Sequence, residues 1–270
     1  MAEQPRWKPP SPEEWGAYCE EYAMNFVALT RGTFALLLNS VEIEPDCRFV
    51  EVGSGPGLLA AEAFRRGAEV TCIDTCEQML DIARMNVPEG EMQLGDATTL
   101  EIRRQWADAV VANFVLDLLP DPAAAVLEAA RVTKSGGRFA ATIWRRHSDN
   151  PALGLFYEAA SRVGLEVPEA TQAGPPLWDR DIFTRTLGRA HLADLEVRTL
   201  EWTIPIRPEQ WWIILSKSDP VTGGYFASQD AATGEKIRSN FLSLMSDLHS
   251  EDDEVMMPVR AMLGSGTVRH

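Results

Sequence analysis

Basic residues are scarce in this sequence. Twenty-five Lys and Arg face 40 Asp and Glu, a net charge of −15 over 270 residues. Such a surface repels phosphate backbones, and the basic runs "RRQW" and "WRRH" are too short to form a patch. Nucleic acid and anionic membrane surfaces are therefore excluded as expected partners. No apolar run reaches the roughly 20 residues a membrane helix needs. The N-terminus, "MAEQPRWKPPSPEEW", is polar and proline-rich and does not read as a signal peptide. Cysteine is sparse too: Cys19, Cys47, Cys72 and Cys76 show no zinc spacing with the four scattered histidines. They read as reduced, buried thiols, no metal is expected, and the expected location is cytoplasmic.

Apolar residues make up 45% of the chain, enough for a sizeable core. "SPEEW" starts a helix, with Ser11 as cap and Pro12 in the first turn. The helical pattern runs on towards residue 40 and breaks near Gly32. Next, "CRFVEV", "EVTCID", "EMQLGD", "ADAVVANFV" and "RFAATIW" read as five strands. Helices fall between them: "GLLAAEAFRRG", "CEQMLDIARMNV" and "PAAAVLEAARVTKSGG", the last ending in a glycine pair. That alternation predicts a parallel α/β sheet with helices on both faces. After Trp144 come two helices, the second capped by Asp179, and a strand in "LEVRTLEWTIPI". Two more helices follow, with an irregular stretch between them, and the tail "EVMMPVRAMLGSGTVRH" has room for a short last strand. The run "DLHSEDDE" reads as a solvated turn.

The stretch "FVEVGSGPGLLAAEAF" joins the first strand to a helix through Gly53, Gly55 and Gly57. Backbone N–H groups and a helix N-terminus converge there, and bare glycines let a ligand touch the backbone. The dinucleotide pattern G-x-G-x-x-G fails, because Leu58 stands at its last position. Asp74 ends the second strand, 21 positions after Gly53, where its carboxylate can accept from two ribose hydroxyls. Asp96 follows the third strand, placed to accept from an adenine amine. Taken singly, Asp74 also suits a helix cap, Asp96 a turn and Met79 ordinary core.

With these motifs, Val41 to Trp144 resembles a class I S-adenosylmethionine-dependent methyltransferase. "VEVGSGPG" is similar to that family's first motif, E/D-x-G-x-G-x-G, "VTCIDTCEQML" to its ribose-binding motif, and "GDATTL" to its adenine motif. The segment from Ala107 to Trp144 resembles the small-molecule group called type 11, which includes quinone-biosynthesis and natural-product enzymes. The resemblance implies a doubly wound, mostly parallel seven-stranded sheet in a single domain over 1–270. The core would span about 41–204 and 255–270, and helical lid segments about 11–40 and 205–250.

It further implies S-adenosyl-L-methionine as cofactor. Glu51 would orient the loop or the methionine ammonium, with Gly53, Ser54, Gly55 and Gly57 against the methionine part. Asp74 would hold the ribose, Thr75 and Met79 would flank the adenine, and Asp96 and Ala97 would meet its edge. Asn113 and Phe114 would sit near the methyl group, with Tyr22 folded over the cofactor. Cys76 departs from the family, which favours a small polar residue or proline there.

The implied activity is methyl transfer to a small, partly apolar molecule by a monomer or homodimer. Such a displacement needs alignment and shielding, and a base only where the acceptor must lose a proton. Asp117 and His147 are the candidate bases; His147 is expected to titrate near neutrality. His191 and His249 are weaker candidates. Trp15, Tyr18, Trp144, Trp178, Trp211, Trp212 and Tyr225 are candidate substrate walls. Of the adjacent pair Trp211 and Trp212, one is expected to pack inward and the other to face a pocket. Two other readings stand beside this one: a cofactor-binding protein of the same fold that steers a cyclisation without methylating, and a nicotinamide dehydrogenase.

Overall fold

Short runs rich in Val, Ile and Ala form the centre of the sheet in the computed structural model, which describes residues 8–165, 174–248, 250–251 and 253–270. The parallel strands are β1 (Arg48–Val52), β2 (Glu69–Asp74), β3 (Glu91–Leu94), β4 (Ala107–Asn113) and β5 (Thr133–Trp144). Later come β6 (Ala193–Ile206), the two-residue β7 (Ser250–Glu251) and β8 (Glu254–Thr267). The order across the sheet is β3-β2-β1-β4-β5-β8-β6, with β8 antiparallel to both its neighbours and β7 paired to β8. Both faces of β1, β4 and β5 are covered, which is why these strands read as apolar runs without alternation. The strand order reverses at β1, which lies between β2 and β4. A crevice is expected beyond the carboxyl ends of strands at such a point.

The helices are α1 (Pro12–Glu21), α2 (Val27–Thr30), α3 (Phe34–Ser40), α4 (Leu58–Arg65), α5 (Glu77–Asn86), α6 (Pro122–Val132), α7 (Pro151–Ser161), α8 (Arg180–Gly188), α9 (Pro208–Lys217), α10 (Thr222–Ala227) and α11 (Ala231–Ser246). Ser11 caps α1 reciprocally: its hydroxyl accepts from the Glu14 N–H, and the Glu14 carboxylate from the Ser11 N–H. The break at Gly32 is a 3-10 turn, Arg31–Thr33, where a Cβ would lie 2.4 Å from the Trp202 indole. Residues of α3, α4 and α5 pack one face of the sheet, and α6 and α8 the other. A third apolar cluster joins α7, α9 and α11 over the ends of β6 and β8. Helix α7 thus packs with the helical layer, although it lies within the stretch assigned to the core.

Three local expectations change. The helix before the glycine pair stops at Val132, because Thr133 already pairs with Ala107 and its hydroxyl returns to the Ala129 carbonyl. Gly137 instead lets β5 approach β4, since a Cβ there would lie 2.7 Å from the Asp108 carbonyl. The stretch between α9 and α11 contains α10. The tail forms the 14-residue β8, set between β5 and β6 by long registers on both sides.

Candidate functional site

Gly53, Gly55 and Gly57 all hold left-handed conformations, with φ of 64°, 51° and 71°. That geometry alone selects glycine. The three differ in what surrounds them. A Cβ on Gly53 would lie 2.3 Å from a Val115 methyl, and one on Gly57 2.8 Å from the Ala83 Cβ. On Gly55 the nearest atom would be a Tyr22 ring carbon at 3.9 Å. The space at Gly53 and Gly57 is thus taken by the protein's own packing, and only Gly55 turns an open side outward. Asp74 ties this loop to β2: its Oδ2 accepts from the Gly55 N–H at 2.8 Å, and its Oδ1 from the Cys76 N–H at 2.9 Å. Burial raises its pKa, against the lowering effect of these bonds.

A cavity of about 320 Å³ opens beside the loop. Gly53, Gly55, Asp74, Thr75 and Met79 line it from the β1 and β2 side, and Asp96, Ala97, Asn113 and Phe114 from the β3 and β4 side. Trp15 and Tyr22 close it from the N-terminal helices, together with Pro9, Pro10 and Pro12. The part of the lead-in from residue 8 on therefore borders the cavity, and residues 1–7 lie outside the described residues. Glu51 and Ser54 face a small cavity of about 40 Å³ behind the loop, whereas Gly57 borders neither. The Glu51 carboxyl is buried, which pushes its pKa well up, and its Oε2 and the Ser54 hydroxyl have no partner among the described residues. Asp96 is exposed and turns one oxygen to the Thr98 N–H and hydroxyl.

The end of β4 is held in an unusual shape. Phe114 has φ 58°, a conformation costly for an aromatic residue. Its N–H donates to the Thr142 carbonyl at 3.1 Å, and the Thr142 hydroxyl donates to the Asn113 side-chain oxygen at 2.6 Å. Its ring stacks on Trp144 with centroids 3.7 Å apart.

That stack borders a second chamber of about 60 Å³, lined by Tyr22, Phe26, Asp117, Trp144, His147, Tyr157 and Asp219, among others. Tyr22 lines this chamber and both cavities at the loop. It opens a five-residue π-helical segment, Tyr22–Phe26, a deviation common where a helix must present a side chain to a site. Asp117 is 6% exposed; its Oδ1 has no partner among the described residues and its Oδ2 is 3.5 Å from the Trp144 N–H. Burial pushes its pKa up to about 6. His147 does not titrate near neutrality: burial, with Arg146 nearby, lowers its pKa to about 3, and its ring stacks on Tyr157. It is a neutral wall of the chamber and a poor match to a neutral-pH base.

The remaining aromatic candidates lie elsewhere. Trp211 and Trp212 both pack inward, contrary to the expectation that one faces a pocket. Trp211 is fully buried with its indole N–H on the Ala152 carbonyl, and Trp212 packs among Phe156, Phe226 and Phe241. Adjacent side chains can both be buried here because α9 is enclosed by α7, α10 and α11. Trp178 lies under the Arg146 guanidinium, and Tyr225 packs against the helical layer. Tyr18, half-buried on α1, borders neither the larger cavity nor the chamber. His191 is exposed after α8, and His249 lies outside the described residues.

Asp219 and Tyr157 escaped the sequence reading. Asp219 falls in the stretch read as irregular, where it accepts from the Val221 and Thr222 N–H groups; nothing in the sequence says the carboxylate also faces a chamber. Burial raises its pKa to about 6 as well.

The comparisons agree with this geometry. A family model described as "Methyltransferase domain" matches residues 50–141. A ubiquinone biosynthesis O-methyltransferase of Alkalilimnicola ehrlichii is 35% identical over 161 residues, 57% of this chain and 62% of that protein. The chain thus spans about three-fifths of the length of the curated relatives it matches. A solved methyltransferase from an antibiotic biosynthesis pathway of Anabaena variabilis superposes with TM-score 0.62 at 15% identity, covering 85% of this chain and 95% of that one. The cyclase SpnF superposes with TM-score 0.55 at 16% identity, over 97% of this chain and 99% of its own. At such identities the two structures speak for the fold alone. Residues 50–141 match the methyltransferase-domain family model, and the chain has the class I S-adenosylmethionine-dependent methyltransferase fold.

Proposed function

We propose that the chain binds S-adenosyl-L-methionine in the cavity beside the glycine loop and moves its methyl group to a small, partly apolar molecule in the adjoining chamber. The observation that carries this is the loop itself: of its three glycines only Gly55 has open space where a side chain would stand, and its N–H is held by the carboxylate of Asp74. The polar groups suit a methionine nucleoside. Asp74 accepts from the ribose hydroxyls, Thr75 and Met79 flank the adenine, and Asp96 and Ala97 meet its edge. Glu51 and Ser54, with atoms lacking partners, lie behind the loop on the side of the methionine ammonium. The bound cofactor supplies a methyl group on a good leaving group. The chain's task is to align the acceptor with it and to exclude water. Phe114 and Trp144 border the meeting of the two spaces, and Trp15 and Tyr22 cover them.

A net charge of −15 argues for a small-molecule partner over nucleic acid. Among the described residues no helix is long and apolar enough to cross a membrane. Four free cysteines support a cytoplasmic protein, working as monomer or homodimer.

Turnover tests the reading. The chain is incubated with a methyl-deuterated donor and a small-molecule extract, and products are followed by mass spectrometry. S-adenosylhomocysteine and a product heavier by one labelled methyl are expected. A bound donor that stays intact beside a product of unchanged mass would favour instead the non-methylating reading, which the likeness to a cyclase keeps in view.

A further inference from the structure

The chamber also points to the chemical class of the acceptor. We propose that it takes a protonated amine, held by Asp117 and the aromatic walls, so that the chain is an N-methyltransferase. This rests on the larger cavity being the donor site.

Charge is the first argument. Asp117 and Asp219 both line the chamber, and among the described residues no lysine or arginine does. Asp219 is compensated within the chain, accepting from the Val221 and Thr222 N–H groups and from the Thr222 hydroxyl. Asp117 is not: among the described residues one oxygen has no partner and the other only a long contact to the Trp144 N–H. A buried carboxylate without a partner is costly, and a cationic ligand is the group that relieves it best. His147 cannot serve as that cation, since burial keeps its ring neutral.

The walls are the second argument. Tyr22, Phe26, Trp144 and Tyr157 present aromatic surface around the acids. Ring faces attract an ammonium and give nothing comparable to a neutral hydroxyl. A phenolate or carboxylate would meet two like charges instead. The chemistry then balances within the chamber. The ammonium gives one proton to the Asp117 carboxylate. The freed nitrogen lone pair forms the N–C bond as the donor's C–S bond breaks with its electron pair left on sulfur. A methylated ammonium, a thioether and a protonated Asp117 result.

The test compares benzylamine, benzyl alcohol and benzoate by calorimetry at neutral pH, on the full chain saturated with S-adenosylhomocysteine and on the free chain. Benzylamine is expected to bind about tenfold tighter than the alcohol, with benzoate weakest. Asp117→Asn is expected to erase that preference while keeping affinity for benzyl alcohol and for S-adenosylhomocysteine, which shows that the variant is folded. Equal affinities, a preference for benzoate, no binding of any probe, or an amine preference that survives Asp117→Asn would overturn the proposal. Failure of the wild-type chain to bind S-adenosylhomocysteine would count against the donor site instead, and the amine preference would then be read on the free chain.

Discussion

Replacing Asp74 with alanine is expected to weaken S-adenosylhomocysteine binding by ~100-fold or more. The carboxylate stands at the end of β2, half-buried, with one oxygen on the Gly55 N–H and the other on the Cys76 N–H. Each oxygen keeps lone-pair capacity for a ligand hydroxyl. A hydrogen bond to a charged group contributes roughly 1.5–3 kcal/mol, so losing two ligand bonds removes about 3 kcal/mol or more, which is the stated factor. The loop loses its tie to β2 in the same step, which adds to the loss. Asp74→Asn, keeping one acceptor oxygen, should fall between. Calorimetry reads the affinity, and a melting curve checks the fold. An affinity within about threefold of wild type would remove Asp74 from the ligand's contacts.

The glycine loop gives the second large effect, with a built-in contrast. Gly53→Ala is expected to destabilise the fold by about 2–5 kcal/mol. A left-handed alanine costs roughly 1–2 kcal/mol, and overpacking adds about 1–3. The overpacking is unavoidable because the new Cβ would sit 2.3 Å from a methyl of Val115, a stiff β-branched side chain. Gly55→Ala keeps only the backbone cost, about 1–2 kcal/mol, since nothing lies closer than 3.9 Å. Its methyl would project on the open side, so its main effect should be on ligand affinity, by about tenfold. Chemical denaturation and calorimetry on the two variants separate the roles. Equal stability losses, or a Gly55→Ala variant with wild-type affinity, would contradict the assignment.

Much of this was legible in the sequence. The apolar runs of β1, β2 and β4 are enclosed on both faces, so composition alone marks them, and the glycine loop and Asp74 stand at a strand end where spacing is informative. The rest depends on contacts between distant segments. No local pattern says that Gly53 must clear Val115 while Gly55 stays open, because residues 53 and 115 meet only once β1 and β4 pair. His147 is expected to titrate near neutrality because a free imidazole does; its shielding comes from the packing around Tyr157, which the sequence does not show. Trp211 and Trp212 are expected to part ways because adjacent residues point in different directions on a helix, but the buried face of α9 is wide enough to take both, with Ile214 and Leu215, while Glu209, Gln210, Ile213 and Lys217 face outward. Asp219 lies in a stretch without a regular pattern, and its place in the chamber is set by how the stretch after α9 meets the N-terminal helices.

Titration of the wild-type chain with S-adenosylhomocysteine in a calorimeter bears most directly on the methionine-nucleoside site. Saturable one-to-one binding is predicted, on the order of micromolar or tighter, and lost in Asp74→Ala. No binding at millimolar ligand, or binding of NADH in its place, would contradict the account.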